Sequence, residues 1–227
     1  DPERGVFILA FLVTVVGSSL LLFAWRAPKI GLGGKFDILS REALLLSNNV
    51  LFAVAAASVF IGTLYPLFMD ALGFGKLSVG PPYFNAVFVP LMAPMIMLMG
   101  LGPLARWKKF DAPDLAKRVR WAFASALVIA VLLPFVLGKW TPMISLGLLL
   151  AFWIIATLLV GLRQRLMGHG NFMQRVRSQS SSYYGMQLAH FGVSIFIIGV
   201  TMVMGYETER DVRMEIGDTV DAGGYVF

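Results

Sequence analysis

No cysteine occurs anywhere in the sequence. That absence removes disulfides, iron–sulfur clusters, thiolate zinc sites and thiol catalysis, and leaves the compartment open. Charge is almost as scarce: 14% of the 227 residues are Asp, Glu, Lys or Arg, against roughly 25% in ordinary globular domains. Histidine occurs only at positions 169 and 190. Within the apolar stretches there is no nucleophile triad, no pair of carboxylates and no HExxH spacing, so hydrolytic chemistry at membrane depth is excluded. There is also no internal repeat and no low-complexity tract. The chain opens DPERG without Met or a signal-peptide pattern and ends at Tyr225-Val226-Phe227 as if within a strand. We therefore expect a fragment of a longer polytopic protein.

What remains is apolar. Hydrophobic residues make up 58% of the chain and the mean hydropathy is +0.76, which marks an integral membrane protein. Six apolar runs stand out: Gly5–Trp25, Leu44–Met69, Phe84–Ala105, Trp121–Gly138, Pro142–Gly161 and Tyr184–Met204. Each is near the length that crosses a hydrocarbon core of about 30 Å, with tilt in the longer ones. None contains an interior Asp, Glu, Lys or Arg. Backbone groups in lipid must be satisfied within the segment, so these runs are helices. The expected fold is an all-α polytopic membrane protein, with six transmembrane helices over 1–204. The tail 205–227 begins a small extracytoplasmic β segment, because Val212, Met214 and Ile216 alternate with charges before the Gly217-Asp218 turn signal.

The net charge of +6 would suggest nucleic acid in a soluble protein, but its placement says otherwise. Connections 26–43, 106–120 and 162–183 hold 4, 6 and 4 Lys/Arg, which is 14 of the 19 in the chain, while the other side carries 9 of the 13 acids. Positive residues stay cytoplasmic. The N-terminus and the tail are thus expected outside and the three basic connections inside, facing anionic lipid headgroups.

Several local signals qualify this picture. RAPKIGLGGKFDILSRE reads as an irregular connection, since no strand precedes GLGG and the spacing of a phosphate loop is missing. Ser47, Asn48 and Asn49 put polar groups at the start of the second run, where they need partners on neighbouring helices or a ligand. Pro90 and Pro94 interrupt the third run among Met92, Met95, Met97 and Met99; proline can open space for a cofactor, and the thioethers read first as adaptable packing. Asp111 can cap a short amphipathic turn in which Asp114 pairs with Lys117 or Arg118, and Ser180 to Ser182 cap the last run. His169, between glycines in a basic connection, reads as incidental.

The segment Tyr184–Met204, YGMQLAHFGVSIFIIGVTMVM, holds the one histidine at membrane depth, His190. Imidazole in lipid is costly unless it pairs, faces a cavity or binds a metal. On a helix, Met186, Val193, Ser194 and Ile197 share its face, and Gly192 and Gly199 lie seven apart, small enough to admit a helix or a flat ligand. Three readings stand: a metal or cofactor ligand, a packing histidine bonded through Gln187 or Ser194, and a proton relay. A single imidazole among small residues suits axial ligation of a b-type haem better than hydrolysis.

The stretches DPERGVFILAF, SREALLLSNNVLF, GTLYPL, GPLARW, YYGMQLAHFGVSIFIIG and YETERDVRMEIGDTVD carry a resemblance that spans essentially the whole chain. The sequence resembles the central to C-terminal part of the CcmF family, the haem lyase subunit of the bacterial cytochrome c maturation machinery, System I. The resemblance implies a multi-pass protein of the bacterial inner membrane. It implies partners as well: a haem-carrying periplasmic chaperone, an apocytochrome c whose CxxCH cysteines receive haem through thioether bonds, and other maturation subunits. A tryptophan-rich segment and two periplasmic histidines hold that substrate haem in the family. A separate haem b sits between two transmembrane histidines, and His190 matches the second of them, as a ligand of the haem iron. The chain departs from the pattern elsewhere. Trp25, Trp107, Trp121, Trp140 and Trp153 are scattered, and neither the periplasmic histidines nor the first transmembrane one is present.

Two rivals from other classes remain at this stage. One is a transporter or proton-conducting subunit with His190 as a relay, against which stands the lack of a buried carboxylate partner. The other is a structural membrane scaffold.

Overall fold

The computed structural model describes residues 2–29, 35–71, 73–75, 77–167 and 171–227. His169 lies outside the described residues. The chain divides into two units, Asp1–Lys35 and Phe36–Phe227. Among the described residues, six helices are long and apolar enough to cross a membrane.

The first unit is α1, Pro2–Arg26, continued by a tight turn of helix over Ala27–Lys29. Its two hydroxyls bond within the helix: Thr14 Oγ1 donates to Ala10 O at 2.8 Å and Ser18 Oγ to Val15 O at 3.1 Å. A lipid-facing helix needs that internal closure, because hydrocarbon offers no partner. Arg26 ends it, its guanidinium lying over the Trp25 ring, as expected of an interfacial pair.

The second unit contains α2 (Arg41–Ala71), α3 (Pro81–Leu101), α4 (Ala112–Val136), α5 (Pro142–Leu166), a short α6 (Phe172–Ser178) and α7 (Ser181–Tyr206). The hub is α5, against which α3, α4 and α7 pack, while α2 packs on α3. Leu148, Ala151 and Ile154 of α5 are 0% exposed, the centre of the unit. On α4, Ala122, Ala126 and Ala130 recur every four residues and are buried with Pro134. With no hydrophobic drive between helices in lipid, such small side chains bring backbones close enough for dispersion to act.

Glycines at three further contacts do the same. A Cβ on Gly100 would run into the Trp153 ring, one on Gly147 into the Thr201 side chain, and one on Gly205 into Ile144 Cγ1 at 2.7 Å. Gly192 and Gly199, singled out by their spacing, have nothing within 4 Å of an added Cβ. The close approach of α7 to α5 is made by Gly147 and Gly205 instead. On the other side of the hub, Tyr83 reaches from α3 to α2 and donates to Ser58 O at 3.1 Å.

Hydroxyl side chains cap α5 and α7. Thr141 Oγ1 accepts from Ile144 N at 3.2 Å, with Pro142 as the first residue of α5, and Ser180 Oγ accepts from Tyr183 N at 3.2 Å. Pro81 opens α3 after Gly80. Helix α4 begins at Ala112, well before Trp121, so the amphipathic turn expected in the connection is the opening of the helix itself; Arg118 pairs with Asp114 there. Asp111 stands at the cap position with no side-chain bond to it.

The tail differs from its reading in one place. Val212, Met214 and Ile216 belong to no strand; the strands are β1, Asp221–Ala222, and β2, Tyr225–Val226, paired antiparallel. Alternation makes a strand only where a ladder partner exists. Gly223 and Gly224, at φ 63° and 84°, supply the two left-handed positions of a tight hairpin.

Candidate functional site

The start of α2 is clasped to the segment that follows α3. Asp37 N donates to Lys108 O at 3.1 Å, Arg41 N to Arg106 O at 3.0 Å, and Phe110 N to Leu39 O at 2.8 Å. Lys108 N in turn donates to Glu42 Oε2 at 2.9 Å, and Lys109 Nζ lies 3.2 Å from Asp37 Oδ2. Lys108 holds φ 62°, which costs a non-glycine residue energy that these bonds compensate. The Lys109 ammonium holds the Asp37 carboxyl below the usual carboxylate range, first by hydrogen bond and then by charge. Ser40, 0% exposed, accepts from Ala43 N and caps α2. The clasp fixes where Arg41 begins its helix.

From there one face of α2 runs along a cavity. Arg41, Leu44, Leu45, Asn48 and Phe52 follow helical spacing and line it. Across from them, α3 contributes Met92, Met95, Ile96 and Met99, α5 contributes Ile144 and Leu150, and α7 contributes Met186, His190, Val193 and Ile197. Its volume is about 820 Å³, within the range of roughly 300–1,000 Å³ typical of ligand pockets. The lining is overwhelmingly apolar; among the described residues Arg41 carries its only fixed charge, and no Asp or Glu takes part.

His190 sits partly buried on this wall. Its Nδ1 lies 2.9 Å from the Met186 carbonyl. A carbonyl oxygen can only accept, so Nδ1 carries the proton and Nε2 keeps its lone pair. Metal-binding histidines are oriented in this way, by giving the other ring N–H to a backbone carbonyl. The packing alternatives do not reach the ring. Ser194 Oγ donates to the His190 backbone carbonyl at 3.0 Å, and Gln187 Nε2 donates to Tyr183 Oη at 2.8 Å. Among the described residues, no group of three or more His, Cys, Asp or Glu converges as a metal site. Among the described residues the cavity thus offers one imidazole nitrogen beside the thioethers of Met92, Met95, Met99 and Met186, a donor set on apolar walls that fits a haem.

Curated relatives and a solved structure both point to CcmF. The cytochrome c-type biogenesis protein CcmF of Pseudomonas aeruginosa is 45% identical over 229 residues, covering 100% of this chain and 34% of its own length. CcmF of Escherichia coli K12 is 42% identical over 228 residues with the same coverage. A solved structure, Cytochrome c Heme Lyase CcmF, aligns with a TM-score of 0.64 at 27% identity, over 95% of this chain and 33% of that one. This is a CcmF-family sequence. No family model matches it. The chain spans about a third of the length of the curated CcmF relatives it matches.

For a CcmF-family segment, the readings from sequence divide clearly. Asn48 and His190, more than a hundred residues apart in the chain, line one cavity, as do Met186, Val193 and Ile197 from the helical face of His190. Met92, Met95 and Met99, read as packing, also line it, and soft thioethers suit the wall of a flat apolar ligand. Met97 packs instead against the α4–α5 cluster and lends its carbonyl to Trp153. Arg41 was missed. It counted as one cation in a basic connection, and only the pairing of two distant segments sets it on the cavity wall.

Proposed function

We propose that this CcmF-family chain takes part in c-type cytochrome maturation by carrying one wall of a membrane haem site, with Nε2 of His190 as an axial ligand of a b-type haem. The single observation that carries this reading is the His190 ring: Nδ1 committed to Met186 O, Nε2 free, on an apolar cavity of about 820 Å³. Haem iron bound there supplies one-electron chemistry. The chain's own contribution is to fix the imidazole tautomer, to exclude water with the methionine and aliphatic walls, and to seat the ring through α5–α7 packing. Support for the maturation role comes from the names of the relatives, cytochrome c-type biogenesis proteins and a cytochrome c haem lyase.

In this reading the whole protein is a haem lyase of the bacterial inner membrane. It joins haem to the CxxCH cysteines of an apocytochrome c by thioether bonds, receiving haem from a periplasmic chaperone beside other maturation subunits. The basic connections face the cytoplasm, and the N-terminus and tail face the periplasm. The test is spectroscopic. The purified full-length protein is expected to show a low-spin b-type spectrum, and His190→Ala to abolish or grossly alter it. An unchanged low-spin spectrum in that variant removes the ligand role.

A further inference from the structure

The guanidinium of Arg41 poses a problem that the iron ligand does not solve. Its Nε is buried without a hydrogen-bond partner. Among the described residues no carboxylate pairs with it: Glu42 accepts from Lys108 N, and Asp37 is held by Lys109. The side chain is not loose either. It lies against the Trp107 ring, 4.7 Å from guanidinium carbon to ring centroid, and its backbone N–H is tied to Arg106 O at 3.0 Å. A planar cation oriented by an aromatic face, with a donor withdrawn from water and unused, is prepared for an oxyanion.

We propose that Arg41 anchors a carboxylate of the ligand whose iron His190 would hold, so that one cavity grips a haem at its centre and at its acidic edge. This rests on the haem reading above. The argument is one of matched chemistry. Haem is an apolar plate with carboxylates along one edge. The cavity is an apolar slot with a free imidazole nitrogen on α7 and one unpaired guanidinium at the start of α2. Among the described residues no acidic side chain lines the slot to compete for Arg41. A charged fork also sets direction, since only one edge of the plate can face it. Asn48, seven residues further along the same face of α2, offers a second polar contact. The phosphate of an anionic lipid carries the same oxyanion chemistry, and the experiment separates the two sources.

The full-length protein in nanodiscs of zwitterionic lipid is titrated with haem and with haem dimethyl ester, whose edge carries no negative charge, and binding is read from the Soret band. The wild-type protein is expected to bind haem about tenfold or more tighter than the diester, the loss usual for one charge-assisted contact. In Arg41→Gln the two ligands bind alike, while the low-spin bands from His190 persist; Arg41→Lys, which keeps the charge but not the fork, falls between. Equal binding of both ligands by the wild-type protein overturns the proposal without recourse to a variant. So does retention of the wild-type preference in Arg41→Gln. If Arg41 serves lipid phosphate instead, Arg41→Gln alters the dependence of thermal stability on phosphatidylglycerol content and leaves the preference between haem and diester in place, which also overturns it. His190→Ala reports on the underlying reading separately. Its low-spin spectrum surviving removes the iron ligand, and with it this proposal, whereas loss of those bands with the preference for haem intact supports both.

Discussion

Trp153 donates its indole N–H to the backbone carbonyl of Met97, 3.0 Å away, across the contact of α5 with α3. The bond exists because Gly100, one turn along α3, leaves room for the ring. It ties the methionine wall of the cavity to the hub helix. Trp153→Phe keeps most of the volume and removes the donor, and is expected to cost about 0.5–1.5 kcal/mol. Gly100→Leu drives a side chain into the ring and is expected to cost more, with loss of the cavity's shape. Thermal unfolding in nanodiscs ranks the two; a Gly100→Leu variant as stable as the wild-type protein contradicts this packing.

The α5–α7 approach invites a double-mutant cycle. Gly147→Ala places a methyl where the Thr201 side chain lies, and is expected to destabilise and to weaken haem retention by moving the helix that bears His190. Thr201→Ala removes the two nearest obstructing atoms, Oγ1 and Cγ2. The double variant is expected to recover most of the loss, a coupling of about 0.5–3 kcal/mol. Strict additivity of the two changes places the residues apart.

Cavity complementation offers a sharper probe of the imidazole. His190→Gly deletes the ring and leaves the apolar space around it. Added imidazole is expected to enter and to restore the low-spin bands in proportion to its concentration, whereas 2-methylimidazole, crowded at the iron, restores them poorly. No recovery at any concentration argues that iron and residue 190 are not neighbours.

The clasp at the start of α2 has a pH signature. The Asp37 carboxyl is held below its ordinary value by Lys109. A depressed carboxylate stabilises above its unfolded pKa of about 3.9, and that contribution disappears as pH falls through the lower, folded value. The stability difference between the wild-type protein and Asp37→Asn is therefore expected to hold from neutral pH down to the ordinary carboxylate range and to disappear as pH falls through the depressed, folded value. Because the pair is exposed, added salt should shrink it at every pH. A difference that grows on acidification reverses the sign and refutes the pairing.

The absence of cysteine makes orientation simple to measure. Single cysteines at Ser178, in the third basic connection, and at Lys139, in the turn between α4 and α5, are expected to react with impermeant thiol reagents from opposite faces, Ser178 from the cytoplasm. Labelling of both from one side contradicts the alternation of the helices.

Much of the fold was legible because its signals are local. An uncharged run of about twenty residues needs no partner to declare itself a membrane helix, since the bilayer imposes internal hydrogen bonding on any backbone it contains. The cap at Ser180 acts within three residues and was equally readable. The ends were less so: α4 starts at Ala112, in a charged stretch, because a helix continues through the headgroup layer after its apolar run has stopped. Small-residue spacing did not locate the α5–α7 contact: among the described residues nothing lies within 4 Å of a Cβ added at Gly192 or Gly199, while Gly147 and Gly205 lie where α5 and α7 meet.

By itself, then, the order of residues determined the number of spans, the distribution of charge around them and the one imidazole at depth, all of which follow from exchange between each segment and its solvent. Tertiary structure alone decided what that imidazole faces. The proton on Nδ1 is set locally, by Met186 one turn back on α7, but the methionine wall opposite the ring and Arg41 on the same cavity come from helices far apart in the chain. Such meetings are chosen by side-chain shape at every contact at once, and no single segment carries that information.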